Sequence, residues 1–209
     1  MKNKIPDWWG SKVDRKLDKV ISYCTNKRSA LDLGCGMGVN SKYLAKQGFS
    51  VTCVDFDQNL VDKFENDLKD ENFSQRIKIL TENIENFFSS DKYDLILALS
   101  VLHFFRMENV SIIISRLKDS LEKDGIIFIR VFSNKDNDFI RLKEAGLLIA
   151  YNEIHSPKLN KDFHYFEERE LRDLLAGLDI IELQEYETQN VHSPEGEHKH
   201  WIFDILARK

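Results

Sequence analysis

Residues 30–41 read ALDLGCGMGVNS, and no other stretch narrows the fold as much. A short apolar run ends in an acid, Asp32; glycines then take alternate positions at Gly34, Gly36 and Gly38, and a helical pattern starts at Val39. The spacing predicts a strand, a tight turn and a helix. Glycine tolerates the backbone angles such a turn needs and lets the main chain lie close to a ligand. The helix head adds free N–H groups and the positive end of a dipole, so the turn reads as a seat for something small.

The flanking sequence repeats this alternation. Before the turn, Val13, Leu17, Val20, Ile21 and Cys24 recur at helical spacing, predicting an amphipathic helix over residues 11–24. After it come a strand at 50–54 that closes on Asp55, a helix at 58–69 and a strand at 76–80. The nearly all-apolar YDLILAL of 93–99 has the composition of a strand buried on both faces. A helix at 110–122, a turn at Lys123-Asp124-Gly125 and a strand at 126–132 complete the pattern. Five strands alternating with helices predict a doubly wound α/β sheet with its ligand site at the C-terminal strand ends.

The last third breaks the rhythm. Residues 133–166 are mixed and polar, with a helix expected near 138–148. A connection this long either carries its own structure or forms a lid. A short helix at 167–176 precedes two strand-like runs, 180–186 and 200–207, with no helix between them, which predicts an antiparallel pair at the sheet edge.

Composition sets the outer limits. The 209 residues, 42% of them hydrophobic, fit one domain over 1–209, with 1–28 as an N-terminal helical cap and 133–166 as a substrate lid. The net charge of −5 arises from well-mixed acids and bases, which gives no electrostatic footprint for nucleic acid or an anionic membrane. Cys24, Cys35 and Cys53 form no CxxC pair and are odd in number, arguing against a disulfide framework and a zinc site, so no metal is expected. No apolar run approaches a membrane span and MKNKIPDWWG holds no apolar export segment, so a cytoplasmic setting is expected.

Several residues invite a chemical reading beside a structural one. Asp55 lies 21 residues beyond Gly34, where a carboxylate can accept from both hydroxyls of a ribose; otherwise it caps the next helix, a task Asp57 can also do. His103, just past the fourth strand, is either a base titrating near neutral pH or a packing histidine. Trp8 and Trp9 form a packing plug or a flap that brings Trp9 to a ligand. Arg130 either meets a substrate or pairs with a core carboxylate. The tip NVHSPEGEHKH gathers His192, His198 and His200. On a strand, His198 and His200 would share a face as an anion pocket or half of a metal site; a solvated turn is the alternative.

LDLGCGMG, the acid of VTCVDFD, the TEN after the third strand, and YDLILALSVLHF with LEKDGIIFI resemble the successive motifs of class I S-adenosylmethionine-dependent methyltransferases. The LDLGCGxGxNS turn and the ending WIFDILARK further resemble the tellurite-resistance type. A dehydrogenase is disfavoured, because position 39 is Val where a GxGxxG motif needs glycine. The resemblance implies a Rossmann-like, doubly wound, seven-stranded mixed sheet with an antiparallel C-terminal strand pair. It implies S-adenosylmethionine as cofactor and a small-molecule methyl acceptor, an oxyanion or metabolite.

Carried over residue by residue, Asp32 would hold the methionine ammonium, Gly34 and Gly36 would let the backbone lie against the cofactor, and Asn40 would reach the methionine carboxylate. Asp55 would take the ribose, Phe56 the adenine face, Asn83 the adenine amino group where the family commonly has aspartate, and Ile84 would give the adjoining N–H. Leu99 and Ser100 would border the methionine portion. Trp9, Arg130, His192, His198 and His200 are the acceptor-side candidates, and His103 the catalytic one. The tellurite-resistance type is expected to use basic groups of the hairpin, yet the tip offers no arginine. Two other classes stay open: a non-catalytic cofactor-binding regulatory module, and an RNA or protein methyltransferase.

Overall fold

The computed structural model describes residues 12–157, 160–188, 191–193 and 196–209. In chain order the elements are α1 (Leu17–Ser22), β1 (Ser29–Leu33), α2 (Val39–Lys46), β2 (Ser50–Asp55), α3 (Gln58–Leu68), β3 (Ile77–Thr81), β4 (Tyr93–Leu99), α4 (Met107–Ser120) and β5 (Leu121–Phe132). There follow α5 (Asn137–Glu144), β6 (Leu148–Ala150), β7 (Glu153–Ser156), β8 (Lys161–His164), α6 (Glu168–Leu174), β9 (Asp179–Glu187), β10 (Val191–Ser193), β11 (Gly196–His198) and β12 (Trp201–Arg208). No helix among the described residues is long and apolar enough to cross a membrane.

Seven strands form one sheet in the order β3-β2-β1-β4-β5-β12-β9. The first five run parallel, and β12 lies antiparallel between β5 and β9. This is the expected Rossmann-like mixed sheet, with the last strand inserted beside β5 rather than added at the edge. Successive side chains of a strand point to opposite faces, and the chain exploits this on its central strands. Ile96 and Ala98 of β4, with Ile127 and Ile129 of β5, enter the core under α4 and α6. Leu95 and Leu97, with Ile126 and Phe128, enter the core under α1, α2 and α3. Helices cover both faces, so the central strands have no polar side.

Two expected elements differ. The helix expected over 11–24 shrinks to the six residues of α1. Asp14 breaks the pattern: its side chain accepts from Lys16 N–H at 2.9 Å, and its own N–H donates to Asn40 Oδ1 at 2.9 Å. Such local bonds compete with helix formation. The second difference is in residues 133–166, which carry their own structure. The expected helix ends at Glu144, and Gly146 turns the chain at φ +75° into a three-stranded antiparallel sheet, β6-β7-β8. Phe139, Leu142, Ile154, Phe163 and Tyr165 form a third core, packed on Phe104 and Phe132 of the main body.

At the head of α2, Gly38 takes the left-handed conformation at φ +65°. A Cβ built there would lie 2.0 Å from the Phe64 ring, so both the backbone angle and the space demand glycine. Gly38→Ala should therefore cost about 2–4 kcal/mol of stability, from the left-handed penalty and overpacking together. The measurement is the urea midpoint at constant slope. An unmoved midpoint would show that the turn does not depend on this contact.

Candidate functional site

At β1 the sheet changes direction, with β2 on one side and β4 on the other, which opens a crevice at the C-terminal strand ends. The glycine turn fills the floor of that crevice. Gly34 and Cys35 N–H both donate to the Val54 carbonyl, at 2.8 and 3.2 Å, tying the turn to β2. Gly36 N–H donates to Asp55 Oδ2 at 2.8 Å, and Asp57 N–H to Asp55 Oδ1 at 3.0 Å. A Cβ on Gly34 would press on Val101 at 2.6 Å, whereas one on Gly36 would meet no atom within 4 Å. The turn is thus packed below and open above.

Asp32, at the end of β1, is only 3% exposed and accepts a hydrogen bond from Ser41 Oγ at 2.5 Å. Burial pushes its carboxyl up to about 6, against the Ser41 hydrogen bond and with the help of neighbouring Asp55. Neither Asp32 nor Asp55 has a cationic partner among the described residues. Asp55 does not cap α3: Asp57 does, accepting from Asn59 N–H. Phe56, next in the chain, is 65% exposed, an unusual state for a ring beside a buried acid. Asn83 Oδ1 accepts from Glu85 N–H at 3.0 Å, while Ile84 is buried beneath it. On the other side of the crevice Leu99 pairs in register with Arg130, and Ser100 turns at φ +58°, a strained angle for a residue with a side chain.

The acceptor-side candidates scatter. His103 is fully buried, stacked on Phe132 with ring centres 3.9 Å apart, and neither ring nitrogen has a hydrogen-bond partner. Burial first, and then His200, pushes its pKa down to about 3. This is the placement of a packing histidine, not of a base with a partner. His200 lies outside β11, so it shares no strand with His198; its Nδ1 stands 2.9 Å from Asp136 Oδ2. Asp136, Asp138 and His200 bring possible ligand atoms within 4.8 Å of one another. Asp136 is already engaged there, accepting from Trp201 N–H and Asp138 N–H, which pins the start of β12 to the head of α5. His192 and His198 pair across the β10–β11 hairpin with Glu197 and Val191; their side chains, like Trp9, lie outside the described residues.

Arg130 does pair with a core carboxylate. Its Nε and Nη2 hold Asp204, in register on β12, at 2.6 and 2.8 Å, and its Nη1 holds Asp14. Asp204 also accepts from Tyr186 at 2.7 Å and pairs with Lys16 at 2.8 Å. Asp14 and Asp204 were not foreseen. A lone acid in the apolar run WIFDILAR, matched to a lone base in IIFIRVF, is the signal that could have found the Arg130–Asp204 pair. Beside these ion pairs lies a cavity of about 240 Å³, lined by Asp14, Lys16, Arg130, Gln184, Tyr186 and Thr188 among others. It opens at the same sheet edge as the glycine turn.

Comparison with known proteins supplies a family. Residues 12–155 match the model of the tellurite resistance protein TehB. The chain is 33% identical over 120 residues to a probable S-adenosyl-L-methionine-dependent methyltransferase TehB of Haemophilus influenzae, covering 57% of this chain and 40% of that protein. It is 27% identical over 168 residues to a ubiquinone biosynthesis O-methyltransferase of Rickettsia felis, covering 78% of this chain and 66% of the relative. A solved structure of a SAM-dependent methyltransferase from Methanosarcina mazei superposes with a TM-score of 0.74 at 20% identity, covering 91% and 96% of the two chains. That likeness shows the class I methyltransferase fold.

The raised Asp32 carboxyl makes a prediction for the unliganded protein. Folding favours its protonated form, so the charged form costs stability once the pH passes from about 4 to above 6. The stability difference between Asp32→Asn and wild type should therefore move in favour of the variant by up to about 3 kcal/mol between pH 4 and pH 7.5. Chemical denaturation at the two pH values measures it. A difference independent of pH would mean that Asp32 ionises without penalty.

Proposed function

We propose that this chain, which belongs to the TehB family of S-adenosylmethionine-dependent methyltransferases, transfers a methyl group to a small-molecule acceptor at the C-terminal edge of its sheet. The observation that carries the reading is the pair Asp32 and Asp55, two buried carboxylates on adjacent strands under an open glycine turn with no cationic partner among the described residues. An ammonium and a ribose satisfy such a pair, and a phosphate would not. S-adenosylmethionine, when bound, supplies a methyl group on an electron-poor sulfur.

The roles of this chain's residues are positional. Asp32 would face the ammonium, its charge restored by that neighbour. Asp55 has given one lone pair on each oxygen to backbone N–H groups, and the remainder would accept from the ribose hydroxyls. Exposed Phe56 would lie against the adenine, with Asn83 accepting from its amino group and Ile84 giving an N–H. Gly34 and Gly36 would let the backbone approach. Leu99 and Ser100 would border the methionine portion, with Leu99 offering a carbonyl. Holding donor and acceptor in line and away from water is most of what such a transfer asks of a protein.

A small acceptor is supported by the compact cavity beside Arg130 and Tyr186 and by acids and bases well mixed along the sequence. The named relatives, an O-methyltransferase of ubiquinone biosynthesis among them, point the same way. His103 has no proton-transfer role in this reading, since its ring is sealed among Phe104, Phe132 and Phe163.

Asp55→Ala should weaken binding of S-adenosylhomocysteine in calorimetry by about 1.5–3 kcal/mol, the scale of hydrogen bonds to a charged group. An unchanged affinity would remove the ribose role. Conversion of labelled S-adenosylmethionine in the presence of metabolite and oxyanion acceptors should yield S-adenosylhomocysteine with one of them. Cofactor binding without turnover on any acceptor would instead favour a non-catalytic module.

A further inference from the structure

Asp14 makes contacts in three directions, and together they join the two halves of the site. Its Oδ2 is held by the Arg130 guanidinium, its Oδ1 accepts from Lys16 N–H, and its own N–H donates to Asn40 Oδ1 at 2.9 Å. Arg130 is itself immobilised by Asp204 through two parallel bonds, and its side chain is only 18% exposed. Burial works against the Arg130 charge, yet Asp204 and Asp14 outweigh it and keep the guanidinium protonated. Asn40 sits in the first turn of α2, directly beyond the glycine turn. An N–H aimed at its amide can donate only to the oxygen, so Asp14 fixes which way the amide faces. The Asn40 Nδ2 donors have no partner among the described residues.

We infer that Asp14 and Arg130 are positioning residues: clamped by Arg130, the Asp14 backbone orients Asn40 so that its NH₂ group is free to donate to the carboxylate of the cofactor. This inference rests on the reading of the glycine turn as the seat of S-adenosylmethionine. If the amide were turned over, its oxygen would face that carboxylate and repel it. The clamp is assembled from residues 14, 130 and 204, so β5 and β12 set the orientation of a side chain on α2. The same Asp14, Lys16 and Arg130 line the cavity proposed for the acceptor, so the strap ahead of α1 belongs to both subsites.

The test compares two ligands by calorimetry. S-adenosylhomocysteine carries the amino-carboxylate, and 5′-methylthioadenosine has the same adenosine and sulfur without it. Asp14→Ala and Asn40→Ala should each weaken S-adenosylhomocysteine about ten-fold, the equivalent of about 1.4 kcal/mol. Methylthioadenosine should bind all variants alike. The double variant should bind no more weakly than Asn40→Ala alone, and Asp14→Asn, which can keep the turn to Lys16 but sets an NH₂ group against the Arg130 guanidinium, should show the same ligand-selective loss. Since Asp14→Ala also removes that turn, Arg130→Lys provides a second way to loosen the clamp, with the same ligand-selective loss expected. Equal weakening of both ligands would mark Asp14 as merely structural and overturn the inference, as would no change in either. Wild-type protein that binds neither ligand would bring down the methyltransferase reading itself, a result recognisable before any variant is made.

Discussion

Asp32 and Asp55 are held at the crevice by neutral donors alone, a serine hydroxyl for one and two backbone N–H groups for the other. Removing a carboxylate from water without a counter-charge costs several kcal/mol, so such an arrangement persists only where the surrounding structure enforces it. The enforcing elements are identifiable. Parallel pairing places the ends of β1 and β2 side by side, and the bonds from Gly34 and Cys35 to Val54 hold the turn over them. The opposite policy rules two strands further along the same edge, at β5 and β12, where Arg130 and Lys16 offset Asp14 and Asp204. One cluster is left charged and receptive; the other is internally neutral and rigid. The first suits a ligand that brings its own positive charge, and the second suits a frame.

The third core changes what residues 133–166 can do. A lid that swings must break few contacts, but this one is fastened. Arg106 pairs with Asp162 at 3.1 Å, and Glu153 accepts from Met107 N–H at 2.9 Å, so the cap supplies a bond to the otherwise orphaned head of α4. Phe163 stacks near His103, whose ring fills the seam between cap and body. These contacts bury aromatic surface on both sides of the seam, and any opening of the cap would have to break them. In this conformation the cap stands as a wall beside the strand ends. It reaches toward the glycine-turn side through Lys161, whose ammonium lies 5.7 Å from the centre of the Phe56 ring and 5.2 Å from that of Phe104.

The parts legible in the sequence were those with local causes. YDLILAL announces a doubly buried strand because every residue after its acid is apolar, and six of its seven residues are buried. The glycine turn and the acid after β2 follow from backbone sterics at short range. The three-stranded cap escaped because LIA, EIHS and KDFH are too short for a period to emerge, and the apolar β6 is exposed throughout. Only the left-handed turns at Asn152 and Asn160 hint at it, and asparagine is too common in loops to decide. The helix expected ahead of β1 failed for a different reason. Its apolar spacing is real, but Asp14 is claimed by Arg130 and Asn40, partners 116 and 26 residues away. No window of sequence contains that competition.

The distribution of family likeness along the chain bears on the acceptor. The match to the family model ends at residue 155, before α6, β9 and the whole hairpin. Every residue assigned to the cofactor lies within the matched part. The cavity, by contrast, takes Asp14, Arg15, Lys16 and Arg130 from the matched part and Gln184, Tyr186, Thr188 and Ile202 from beyond it. Half of its wall is thus built on β9 and the start of β12, where side chains can vary without disturbing the parallel strands that hold Asp32 and Asp55. Arg130 is the joint between the two. It is fixed by Asp204 from the unmatched part and fixes Asp14 in the matched part, so a change in the cavity wall at Tyr186, which donates to Asp204, reaches Asp14 through one guanidinium. On the proposed function, acceptor specificity is therefore constrained at Tyr186 and Asp204, which touch that clamp, and at Gln184, which accepts from Lys16 Nζ at 3.2 Å, whereas the Thr188 hydroxyl accepts from His200 N–H.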